Sequence, residues 1–203
     1  MNKIDHTIVA EAKIYVSHLL DHKLSKDCLF HTKKHTLEVL KNTETIAEYS
    51  KLDENALNIL RVAALFHDVG YINTYENHEE ESAAYAAEFL ELKNIYPENI
   101  NQVTNCIMAT KMPQSPKDEL SKILCDADLM NMTFDDYMEQ IDLMRQEWDK
   151  IGKASLNEHE FHLNSLRFFK AHKYHSEYGK KILQPKKEQT ELKIKEQVNN
   201  NRK

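Results

Sequence analysis

Glycine and proline are scarce in this chain, with three Gly and four Pro among 203 residues. A many-stranded protein needs frequent tight turns, so this scarcity argues against an all-β architecture and predicts an all-α fold. Cysteine is scarce as well. Cys28, Cys106 and Cys125 are odd in number, far apart and without a CxxC pair, which suits reduced thiols better than a disulfide framework or a zinc knuckle. No apolar run reaches 18 residues, and the opening Met1-Asn2-Lys3-Ile4-Asp5-His6 lacks the apolar core of a signal peptide. No membrane partner is expected, and the chain reads as cytoplasmic. Positive charge is also in deficit. The net charge of −6 argues against nucleic acid as a principal partner.

What is present is helical periodicity. Ile8, Val9, Ala12, Ile14, Val16, Leu19 and Leu20 predict an amphipathic helix over residues 5–22. His31 and His35 are predicted to share a face of a second helix that runs to about Ser50, a spacing that suits two imidazoles on one metal. Asp53 and Glu54 open a third helix, apolar on every side through Leu57, Ile59, Leu60, Val62, Leu65 and Phe66, with Gly70 expected to cap it. Pro97 starts another helix, and Pro113 and Pro116 make a break. Further amphipathic helices are expected from Phe134 to Ile151 and from Ser155 through Phe169. Their aromatic residues are expected to wall a cleft and govern substrate choice. His159, His162, His172 and His175 lack acidic or thiolate partners at a useful spacing, so packing and surface roles are expected for them. Residues 1–185 read as one helical unit. Residues 186–203 turn polar, and Leu192, Ile194 and Val198 look too few to bury much, so a projecting, frayed helical tail is expected. Pairing of that tail with a neighbouring subunit would make a homo-oligomer.

Two polar clusters interrupt the apolar helices. His67-Asp68 ends the third helix, and Asp126-Ala127-Asp128 follows Leu120, Ile123, Leu124 and Cys125. A buried polar group without a partner costs about 1–3 kcal/mol. Convergence of the two clusters on one cation would remove that cost for both.

These residues resemble the H…HD…D pattern of the HD superfamily of metal-dependent phosphohydrolases. His35 lies in a Phe30-to-Val39 stretch similar to the family's His-Thr-x-x-Val helix. Leu65 to Gly70 resembles its Leu-hydrophobic-His-Asp-hydrophobic-Gly core, Asn77-His78-Glu79 with Ser82-Ala83 its next helix start, and Ala127-Asp128-Leu129 its closing step. The likeness spans about residues 28 to 132. It implies an HD-domain-like helical bundle with extra C-terminal helices, and one divalent ion (Mn, Fe, Co, Ni or Mg) held by His35, His67, Asp68 and Asp128. Asp128 is preferred because the family's last ligand follows a small residue and precedes a hydrophobic one. Asp126 is a supporting residue, or the ligand itself if the register differs. His67 and Asp68 would be catalytic, with Asp68 orienting or deprotonating water. His31, His78 and Lys111 are candidates for substrate contact, His31 alternatively for packing. Arg61 reads as a salt-bridged surface residue. No histidine lies between His78 and His159, which leaves a second metal without the family's usual ligands. The expected activity is hydrolysis of a small phosphorylated substrate, a nucleotide or cyclic nucleotide. The alternative is a nucleotide sensor that keeps the metal without turnover.

Overall fold

The computed structural model describes residues 1–200 and is all-α: among those residues the only β pairing is an isolated bridge between Asn2 and Ile95. Six helices come first: α1 (His6–Lys23), α2 (Lys33–Ser50), α3 (Glu54–Phe66), α4 (His78–Leu92), α5 (Pro97–Ala109) and α6 (Glu119–Asp128). Three follow: α7 (Tyr137–Lys150), α8 (Glu158–Ala171) and α9 (Gln184–Asn200). None is long and apolar enough to cross a membrane.

Local chemistry sets the helix starts. Asp5 accepts from the Thr7 and Ile8 amides at 2.9 and 3.0 Å, Asp53 from Ala56 N at 2.8 Å, and Asp118 from Ser121 N at 2.8 Å. Each satisfies an amide that the helix itself cannot pair. Asn157 and Glu160 close a capping box at the start of α8.

The all-round apolar helix α3 lies at the centre, packed by α1, α2, α4, α5 and α6. A second hydrophobic cluster gathers Met132, Tyr137, Ile141, Phe161, Phe169, Ile194 and Val198. The C-terminal segment therefore differs from its expected projecting tail. Ile194 and Val198 are buried in this cluster while Leu192 is exposed. Lys187 is buried too, its Nζ donating to the Phe169 and His172 carbonyls at 3.0 and 2.6 Å. Those carbonyls end α8, where a cation is favoured. Spacing of apolar residues alone did not reveal this docking because a lysine supplies part of it. Asn201, Arg202 and Lys203, the end of the predicted tail, lie outside the described residues.

Gly70 does not cap α3 in the left-handed region. It sits in a 3-10 turn, Val69–Ile72. A Cβ there would lie 2.0 Å from the His78 carbonyl oxygen, so close approach of the turn to α4 demands glycine.

Candidate metal centre

Three separated parts of the chain meet in one place. His35 stands in the first turn of α2, His67 and Asp68 follow the end of α3, and Asp128 is the last residue of α6. One ligand atom each from His35, His67 and Asp128 lie within 4.8 Å of one another. Asp68 Oδ2 is 3.5 Å from His35 Nε2 and 3.2 Å from His67 Nε2. Asp128 Oδ1 is 3.3 and 3.5 Å from the same two nitrogens.

The local structure orients these atoms. His67 Nδ1 lies 2.7 Å from the Ala64 carbonyl, which can only accept, so Nδ1 carries a hydrogen and Nε2 is the nitrogen turned to the cluster. Asn42 ties α2 to α6 by donating to the Ala127 carbonyl at 3.2 Å. The Gly70 amide donates to Ser82 Oγ at 2.8 Å, fixing the turn that carries Asp68 against α4.

His67 Nε2 and Asp68 Oδ2 are buried and have no hydrogen-bond partner. Such orphans are costly unless something else satisfies them. Two imidazole nitrogens and two carboxylates are a donor set that fits a divalent cation of the first transition row or Mg²⁺. The residues present fit the ion that the sequence implied.

The charges of the cluster are interlocked. Burial alone would lower the His67 pKa, but the adjacent Asp68 and Asp128 carboxylates hold it well above 6.5. Burial would raise Asp68, yet His67, His78 and His31 hold it well below 3.8. Asp128 is lowered too: burial opposes this, and His35 and His67 prevail. His78 is raised, burial again opposing and Asp68 prevailing. The cluster is thus a nest of ionised carboxylates held against imidazoles.

An HD domain model matches residues 32–133, half of the chain, and this span contains all four side chains. The chain belongs to the HD domain family. Similar solved structures include the Lin1889 protein of Listeria innocua, at 20% identity over 97% of this chain and 95% of that one, TM-score 0.64. A predicted HD superfamily hydrolase from an uncultured Thermotogales bacterium is 21% identical over 78% of this chain and 91% of its own, TM-score 0.54. A Lactobacillus plantarum protein is 13% identical over 98% and 97%, TM-score 0.65. The Listeria and Lactobacillus likenesses, which cover nearly the whole chain, show a shared fold that extends past the HD match. No curated protein matches the chain.

The other sequence candidates separate around the HD cluster. His78 joins it, with Nε2 3.4 Å from Asp68 Oδ1 and its ring stacked on Tyr71 at 3.9 Å between centroids. His31 is not on α2, which begins at Lys33; it precedes the helix and also stacks on Tyr71, at 4.3 Å. Lys111 turns away to Glu80 and, at 2.9 Å, to Asn77 Oδ1. Arg61 pairs with Glu44 and Glu54 on another side of α3. Asp126 faces away from the cluster. Its carboxylate accepts from His175 N and Ser176 N, both at 2.8 Å, and from Ser176 Oγ at 2.6 Å. A Cβ at Gly179 would meet Asp126 Oδ2 at 2.1 Å, so glycine lets that segment close over the carboxylate. Among the described residues, none of His159, His162, His172 and His175 joins a metal-competent group.

Glu147 was not foreseen. It is fully buried on α7 and accepts from Phe30 N at 2.8 Å, His31 N at 3.2 Å, Tyr75 Oη at 2.8 Å and His31 Nδ1. Burial would raise its pKa, but these donors, His31 first, pull it down to about 2. One Glu within a charged amphipathic stretch gives no signal of this, since its partners are more than 70 residues away.

A cavity of about 430 Å³ opens over the cluster. His31, His35, Asp68, His78 and Asp128 line one part. Leu129, at the end of the HD match, and Ile141, Met144, Trp148, Phe161 and Phe168, from the helices beyond it, line the other.

Proposed function

We propose that this HD protein is a metal-dependent phosphohydrolase that cleaves a phosphoester bond of a nucleotide or cyclic nucleotide. The observation that supports it best is the convergence of His35, His67, Asp68 and Asp128, with buried nitrogen and oxygen atoms left unpartnered, where His35, Asp68 and Asp128 line a mainly apolar cavity. A divalent ion on these residues would supply a more acidic water and an electrophile for phosphoryl oxygens. His35, His67, Asp68 and Asp128 are its proposed ligands, with Asp126 assigned to structure.

The remaining work falls to the chain's own groups. Asp68 presents Oδ2 to the histidine pair and Oδ1 toward His78, so one carboxylate can hold a ligand and orient the attacking water. His78 steadies that carboxylate. His31, held at Nδ1 by Glu147, lines the cavity and would pass a proton to the departing oxygen. The apolar half of the cavity excludes water from the organic part of the substrate, and its aromatic faces suit a flat ring.

Purified protein with Mn²⁺ and a panel of nucleoside mono-, di-, tri- and cyclic phosphates tests this, with phosphate release as the readout. Release that His67→Ala abolishes is the expected result. Tight nucleotide binding without product would replace the enzyme by a sensor. Full turnover by a His67→Ala protein would overturn the assigned centre.

A further inference from the structure

The cavity has acidic walls: Asp68, Glu79 and Asp128 all line it. A phosphorylated ligand is itself an anion, and one divalent ion leaves that repulsion only partly offset. Among the described residues, a single lysine or arginine lines the cavity, and it is Lys153, in the connection between α7 and α8. Lys111, the lysine that the sequence pointed to, is engaged by Glu80 and Asn77.

Lys153 is held in place from two directions. Its ammonium lies 4.6 Å from the Trp148 ring centroid and 4.7 Å from that of Tyr75. Ring faces attract a cation without consuming its three hydrogen-bond donors, which stay available for an oxygen ligand. The backbone is pinned as well. Gly152 takes φ +73°, and the Lys153 and Ala154 amides both donate to the Trp148 carbonyl, at 2.9 and 3.3 Å, closing the end of α7. Partial burial lowers the ammonium pKa, with Glu147, Glu76 and Glu79 opposing. An ammonium stripped of some of its water gains more from an anion. The residue is still exposed, as a group at a cavity mouth must be.

Lys153 does not stand directly over the HD cluster. The ring contacts run from Tyr75 to His31 at 5.9 Å between centroids, and from His31 to His35 at 6.0 Å. We propose that Lys153 binds a second anionic group of the substrate at the cavity mouth, separate from the phosphoryl group at the histidine and aspartate cluster. This rests on the phosphohydrolase reading for the first anion, and it adds a charge requirement for the rest of the molecule.

Wild type, Lys153→Met and Lys153→Arg proteins, each with Mn²⁺, would be titrated calorimetrically with hexane-1,6-diol bisphosphate, whose flexible chain lets two phosphates reach separate sites, and with hexyl phosphate, which has one. The expected result is a loss of about tenfold or more in bisphosphate affinity for Lys153→Met, with recovery in Lys153→Arg. Hexyl phosphate, able to bind at the cluster alone, should change by less than about threefold. Equal bisphosphate affinity in wild type and Lys153→Met, no bisphosphate binding by wild type, or an Arg variant no better than Met would each overturn the proposal. Unfolding temperatures of the three proteins should differ little, because ring contacts of an exposed ammonium add little to stability. Bisphosphate binding that depends on Lys153 without hydrolysis of any panel substrate would remove the hydrolase reading and keep this site. Turnover indifferent to Lys153 would do the reverse.

Discussion

From Ile59 to Phe66 every side chain except Arg61 is at most 1% exposed, whereas along α7 only Tyr137, Gln140, Ile141 and Glu147 are buried. The first region is a dry, mainly aliphatic core that immobilises His67 and Asp68 at its end. The second is thinner and richer in aromatic rings and methionine, and it supplies the far wall of the cavity. Each region also lends one buried carboxylate to the other. Glu147 reaches from α7 to the amides of Phe30 and His31, and Asp126 reaches from α6 to those of His175 and Ser176. The difference separates two requirements. Metal chemistry needs donors fixed by dense packing, while substrate choice needs a wall that can vary without disturbing them. The two carboxylates keep the wall in register with the chemistry.

That division is open to attack at several points. The largest effect is expected from His67→Ala, which removes a core donor. Metal affinity should fall by more than the roughly 10–100-fold that loss of a supporting residue costs, and phosphate release should vanish, as read by metal titration and product assay. Glu147→Ala is next, because it strands two amides, an imidazole and a phenol. Chemical denaturation should register a loss of about 3–5 kcal/mol, the cost of breaking a buried pair from one side. A Glu147→Ala protein as stable as the wild type would dissolve the notion of a clasp.

The same residue makes a pH test. Its folded pKa of about 2 lies below the ordinary 4.5, so its stabilisation is complete above about 4.5 and disappears as pH falls toward 2. Wild-type stability should therefore drop across that acid window, and Glu147→Gln should lose the part of the slope that this carboxyl contributes. Asp126→Asn should cost less, about 1–3 kcal/mol, and leave Mn²⁺ affinity within about threefold, since it disturbs the His175–Ser176 turn alone. A collapse of metal affinity in that variant would exchange the roles of the two aspartates. Lys111→Ala should do least, under about 0.5 kcal/mol, because its pair with Glu80 is exposed.

Much of this was legible in the residues. The apolar run into His67-Asp68 marks a helix that has to be central, and Asp53 and Pro97 mark helix starts where the structure has them. Gly70 was legible as necessary, though for the wrong reason, since close approach and left-handed backbone both call for glycine. His31 was misplaced onto the helix because a four-residue spacing does not reveal where the first turn begins. Burial of α9 was missed because Ile194 and Val198 are few, and the length of α9 contributes a lysine and a threonine to its hidden face.

The sequence by itself determined the helical class, the apolar frame and the HD pair, because helix periodicity and the cost of burying polar groups act within short stretches. Only the tertiary structure decided that Asp128 faces His35 and His67 while Asp126 turns away to Ser176, since residues two apart on a helix point in different directions and the partner lies on another element. It also decided that Glu147 serves His31 and that Lys153, rather than Lys111, borders the cavity. Those choices depend on which distant segments pack together, and no local pattern in the chain encodes them.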